Sequence, residues 1–102
     1  MEVVKPRRVQ EYWEKHRRAK PSLEEWLAKT KAAKWANIAD VRQTFRTADP
    51  VKVESGRTVT VFDIGGGNFR LITAIHYNWS KVFVLRFMTH AEYDKDTWKD
   101  SL

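Results

Sequence analysis

Residues 58–88 read TVTVFDIGGGNFRLITAIHYNWSKVFVLRFM, and this stretch decides the fold. Thr58–Ile64 is rich in β-branched residues and alternates apolar with polar, the period of a half-buried strand. Gly65-Gly66-Gly67 breaks the run and reads as a hairpin turn. It is not a phosphate-binding loop, since the Lys-Ser/Thr ending is missing and no helix start follows. Asn68–Tyr77 and Lys81–Met88 are two more strands, split by Asn78-Trp79-Ser80. Connections this short predict an antiparallel meander. Alternation puts Arg70, Ile72, Ala74 and His76 on one face, against Phe69, Leu71, Thr73, Ile75 and Tyr77. By the same rule Val82, Val84, Arg86 and Met88 oppose Lys81, Phe83, Leu85 and Phe87. Both strands are apolar on both faces, so each face needs a cover, and one is expected under helices.

Upstream, the period changes to that of helices. Val9, Tyr12, Trp13 and His16 recur at helical spacing after Pro6, which suits a first helical turn. Ser22-Leu23-Glu24-Glu25 reads as a capping box opening a second helix to about Ala36, with Leu23, Trp26, Leu27 and Thr30 on one side. A connection this tight predicts an antiparallel helical hairpin. Met1–Val4 can start a strand. Residues 37–57 read as a connector, with a short helical turn at Ala39–Phe45 that points Val41 and Phe45 inward, and with turn signals at Asp49-Pro50 and Ser55-Gly56. The expected architecture is an α+β domain of order β-α-α-β-β-β, an antiparallel-rich sheet packed against an N-terminal helical hairpin. A polar tail, THAEYDKDTWKDSL, follows. With no repeat or linker, residues 1–102 read as a single domain.

Composition narrows the function. The chain has 102 residues, 42% hydrophobic and 31% charged, enough apolar material for one modest core. Its net charge is +6, which suits a polyanionic partner. The excess is uneven: residues 1–36 carry net +5 and residues 37–102 net +1. There is no cysteine, hence no disulfide framework, thiolate zinc site or cysteine nucleophile. The opening MEVVKPRRVQEYWEKH has no long apolar run, so no secretory signal is expected. No stretch approaches a membrane span. A cytoplasmic setting follows, and too few ligands are spaced for a metal.

Several residues could carry chemistry. Arg70 either pairs with an acid such as Asp63 or Glu92, or binds an anion. His76 reads first as a structural histidine, and His16 as a helix-face residue. Thr89-His90-Ala91-Glu92-Tyr93-Asp94 sets a hydroxyl, an imidazole, a carboxylate and a phenol just past a strand end, where sites are commonly built. The same segment could equally be a cap in which His90 or Tyr93 bonds backbone. Among five tryptophans, Trp13 and Trp26 fall at core positions, and Trp79, in a turn, is the one expected to be exposed.

Taken in order, the segments EYWEKH (11–16), Trp35-x-Asn37-x-x-Asp40-Val41, Thr44-Phe45 with Ala48-Asp49, TVFDIGG (60–66), FRLITAIHYN (69–78), KVFVLRFMTHAEYD (81–94) and Trp98-Lys99 are specific. The chain resembles the HigB toxins of bacterial type II toxin–antitoxin systems, within the RelE/ParE-like superfamily. The resemblance implies a sheet backed by a helical hairpin and a metal-free mRNA interferase acting on the ribosome. In that chemistry the RNA 2′-OH attacks the adjacent phosphate, leaving a 2′,3′-cyclic phosphate and a 5′-OH. It implies neutralisation by a HigA-like helix-turn-helix antitoxin.

By the same resemblance Arg70 matches the arginine of the family's aromatic-Arg-Leu strand, the phosphate-binding group. His90 and Tyr93 match the Thr-His-x-Glu-Tyr segment, as acid or base and as RNA-orienting hydroxyl. His76 matches an Ile-His-Tyr histidine, about 20 Å along the strand from Arg70. Lys81 and Arg86 are further candidates for phosphate contacts, and Arg7, Arg8, Arg17 and Arg18 for docking on ribosomal RNA. The chain departs from the family's F-N-I-G-G-N-K-Y-R-L at Asp63, Asn68 and Phe69, replacing asparagine, lysine and tyrosine. A carboxylate thereby comes close to Arg70. Two other readings stay open: a catalytically impaired relative that binds another target such as gyrase, and a plain basic RNA-binding protein.

Overall fold

The computed structural model describes residues 1–102. Its strands are β1 (Glu2–Val4), β2 (Asp49–Lys52), β3 (Thr58–Ile64), β4 (Phe69–His76) and β5 (Lys81–Thr89). Its helices are α1 (Arg7–Lys15), α2 (Lys20–Ala32), α3 (Ile38–Thr44) and α4 (His90–Asp94), with 3-10 turns at Arg17–Ala19, Tyr77–Trp79 and Thr97–Ser101. The strands form one sheet in the order β1-β5-β4-β3-β2. β2 through β5 are antiparallel neighbours, and β1 lies parallel to β5. A parallel pair needs a long crossover, and everything from α1 to β4 lies between these two strands in sequence.

The meander forms as its sequence predicts. Ile64 pairs with Phe69 across the glycine turn. Gly65, Gly66 and Gly67 have φ of 64°, 66° and 93°, a run of left-handed backbone that other residues adopt only at a cost. Phe62, Ile64, Leu71, Val82 and Val84 pack with Val9, Leu23 and Trp26 in the larger core beneath the helices. Val53, Val59, Val61, Ile72 and Met88 form a second core on the other face, closed by Trp98 of the tail. Residues in the 89–102 stretch therefore supply the second cover.

Four expectations change. The face assignment along β5 breaks at a bulge: Thr73 pairs with Val84 but Ile72 with Arg86, so Leu85 is an extra residue. Val82 and Val84 sit under the helices while Met88 joins the second core, and Phe87 returns to the helix side. Secondly, α2 begins at Lys20, with Pro21 in its first turn and no side-chain cap, and ends at Ala32. The Ser22–Glu25 box is not used because Pro21 is itself inside the helix. Thirdly, Asp49-Pro50 is no turn but the start of β2, an added edge strand where a missing proline N–H costs nothing. Lastly, 90–94 forms α4, so the order is longer than β-α-α-β-β-β. The helix expected at Ala39–Phe45 is α3, with Asn37 capping it through a bond from the Asp40 N–H, 3.0 Å. No helix is long and apolar enough to cross a membrane.

Candidate functional site

Arg70 stands opposite Asp63 in the β3–β4 register. Directly opposed residues hold their Cβ atoms about 5 Å apart, so the guanidinium and carboxylate meet. Arg70 Nε lies 3.1 Å from Asp63 Oδ1. Nη1 donates to the carbonyls of Gly67 at 2.7 Å and Phe69 at 3.2 Å. The guanidinium is thus oriented by Asp63, by its own strand and by the glycine turn. Its side chain is 15% exposed, that of Asp63 37%.

Tyr93 of α4 completes this group. The Arg70 guanidinium sits over its ring at 5.4 Å, a cation–π contact. Trp98 stacks on the same ring, centroids 5.2 Å apart and planes at 20°, while its indole N–H donates to the Tyr93 carbonyl at 3.0 Å. Burial, followed by the Asp49 charge, pushes the phenol above its ordinary value; Arg70 opposes the shift. The hydroxyl is therefore a neutral donor at physiological pH.

A genuine capping box orients α4. Thr89 Oγ1 accepts from the Glu92 N–H at 3.2 Å, and Glu92 Oε1 accepts from the Thr89 N–H at 3.0 Å. The Thr89 backbone bond, then its hydroxyl, hold the Glu92 carboxyl below its usual value. The His90 N–H donates to the Asn68 carbonyl at 2.9 Å, tying α4 to the glycine turn. The cap expected here from the side chains of His90 or Tyr93 is made instead by Thr89 and Glu92, with the helix starting directly on a strand end.

Arg70 and Tyr93 line a cleft of about 610 Å³ with Arg42, Arg46, Asp49 and Asp63. Arg42 and Arg46 come from α3 and the loop behind it, and were missed in the sequence. Their one signal was four-residue spacing beside inward Val41 and Phe45. Arg42 Nε also donates to the Ala48 carbonyl at 3.0 Å, fixing the entry to β2.

The other candidates lie elsewhere. His90 is exposed beside Asp94, Nε2 to Oδ2 3.4 Å, and does not line the cleft. His76 and Lys81 pair at the far end of β4. Arg86 donates to the Leu85 carbonyl at 3.0 Å and the Ser101 hydroxyl at 3.4 Å. Arg8 donates to the Val84 carbonyl at 3.0 Å. Arg7, Arg17 and Arg18 are exposed and unpaired. No three His, Asp or Glu side chains cluster as metal ligands.

An α+β fold with a five-stranded mixed sheet and packed helices is consistent with a RelE-like toxin. Residues 19–96 match the HigB_toxin family, the RelE-like toxic component of a toxin-antitoxin system. The chain belongs to that family. No curated protein matches it.

Proposed function

We propose that the chain is a metal-independent endoribonuclease, an mRNA interferase that cuts ribosome-associated mRNA in the cytoplasm and is neutralised by a HigA-like helix-turn-helix antitoxin. One observation carries this reading: an oriented Arg70 in a cleft it shares with Arg42, Arg46 and Tyr93. Three guanidinium groups suit an RNA backbone. In the reaction the 2′-oxygen bonds to phosphorus, the bond from phosphorus to the 5′-oxygen breaks, and a proton moves from the first oxygen to the second. Arg70 stabilises the charge gained by the phosphoryl oxygens. Tyr93 orients the RNA as a neutral donor. His90 lies outside the cleft on α4, beside Asp94, and serves as the proton carrier where bound RNA extends from the cleft over that helix. Arg7, Arg17 and Arg18 dock the protein on ribosomal RNA, and Arg8 contributes less because Val84 occupies it.

Purified protein added to translating ribosomes tests this. Wild-type protein should leave mRNA fragments ending in 2′,3′-cyclic phosphate, and Arg70→Ala should slow cutting by about 100-fold or more. Intact mRNA with the wild type sinks the proposal. The Asp63 carboxylate on Arg70 favours one other reading, a binding module on another target such as gyrase. Intact mRNA together with gyrase inhibition would support it.

A further inference from the structure

At the end of the sheet remote from Arg70, Trp79 is the one large hydrophobic side chain left exposed, at 69%. It is not loose. Its ring lies parallel to His76, planes 4° apart and centroids 5.6 Å, and His76 packs edge-on against Phe83 at 5.0 Å. The turn beneath is closed by the Ser80 N–H to the Tyr77 carbonyl at 3.2 Å and by the Glu2 N–H to the Ser80 carbonyl at 2.7 Å. An indole backed on one face and ordered in advance loses little freedom on accepting a second flat ring.

Trp79 also edges a hollow of about 680 Å³ whose charged lining is Lys31, Lys34 and Glu2. Neither lysine has a carboxylate within salt-bridge distance. Cations therefore outnumber carboxylates beside an open aromatic face. The complement to that surface is anionic along its length and carries flat apolar rings.

We propose that Trp79, with Lys31 and Lys34, forms a second single-stranded RNA contact, in which a base stacks on the open indole face and neighbouring phosphates meet the lysines. It is separate from the Arg70 cleft and does not require cleavage. Exposed aromatics also anchor protein partners, but unpaired lysines with a single opposing carboxylate favour the polyanion.

Fluorescence anisotropy with a short, uncleavable 2′-O-methyl single-stranded RNA tests the assignment on the full chain. Trp79→Ala should weaken binding by about five- to 100-fold and Trp79→Phe by less. Removing Lys31 and Lys34 should flatten the log–log salt dependence by about 0.7 per lysine. The Trp79→Ala loss should persist in an Arg70→Ala background, which keeps this site distinct from the cleavage reading. Equal affinity of wild type and Trp79→Ala for the oligonucleotide would overturn the proposal. So would an unchanged oligonucleotide affinity together with lost antitoxin binding, which would give the surface to a protein.

Discussion

Asp63 and Arg70 face each other across β3 and β4 and close an ion pair of 3.1 Å at the edge of the cleft. Any phosphate that approaches Arg70 meets a guanidinium already shared with a carboxylate. The pair is partly exposed, so it adds little stability, about 1 kcal/mol or less. Its main effect falls on ligand binding, through a negative charge set beside an anion site.

Asp63→Asn should remove that competition while keeping the side-chain shape. Affinity for single-stranded RNA should rise by roughly fivefold, equivalent to about 1 kcal/mol, with little change in melting temperature. Filter binding and thermal unfolding check it. Unchanged or weaker binding would mean that Asp63 orients Arg70 rather than competing for it.

Tyr93→Phe separates ring from hydroxyl. The ring keeps its contacts with Arg70 and Trp98, so the fold should hold. Loss of one hydrogen bond should slow cleavage by about tenfold. Burial raises the phenol above 10.0, so the pH profile between about 6 and 9 should keep its shape in the variant. A raised folded value contributes stability below 10.0 that is lost as pH rises through it. The wild type's stability advantage over Tyr93→Phe should therefore shrink only in strong alkali.

The Thr89–Glu92 box makes the opposite prediction. Thr89→Ala should cost about 1 kcal/mol near neutral pH by removing the cap of α4. The Glu92 carboxyl is held below 4.5, mainly by the Thr89 backbone bond. Its contribution is present above that value and lost as pH falls through the folded one. Urea titrations of wild type and Glu92→Gln should converge under acid conditions. A gap that stays constant with pH would show that the charge adds nothing.

Thr30→Val addresses the larger core. The Thr30 hydroxyl is fully buried without a partner, one helical turn from the equally unpartnered indole nitrogen of Trp26. Desolvating a hydroxyl with no return costs about 1–3 kcal/mol. Valine is similarly branched, so the change should stabilise by about 1 kcal/mol and raise the melting temperature by about 4–8 °C. A lower melting temperature would point to a bond made by that hydroxyl.

The meander, the inward faces of Leu23, Trp26 and Thr30, and the turn at Gly65–Gly67 were all legible, because each follows from a local period or a local backbone demand. β2 was not, since Asp49–Lys52 is too short to show a period, opens on a turn-like Asp-Pro, and is recruited as an edge strand by β3. The site was legible only where residues are close in sequence or register. Asp63 could be foreseen near Arg70 because a hairpin joins them. Arg42 and Arg46 reach the same cleft through tertiary packing; their four-residue spacing reads as one helix face but does not say what that face meets. Trp98 looked like part of a polar tail, although it seals the second core and stacks against Tyr93.

Leu85 divides β5 into two reading frames. Before it, even-numbered residues face the helices; after it, odd-numbered ones do, and α4 starts five residues later. Deleting Leu85 would splice the two frames into one. Val84 and Arg86 would become neighbours, keep their partners Thr73 and Ile72, and leave Arg86 outside and Phe87 under the helices. Leu85 is thus spare length: a residue can be lost here without turning any side chain over, whereas a shift elsewhere along the strand would turn every following side chain to the other face.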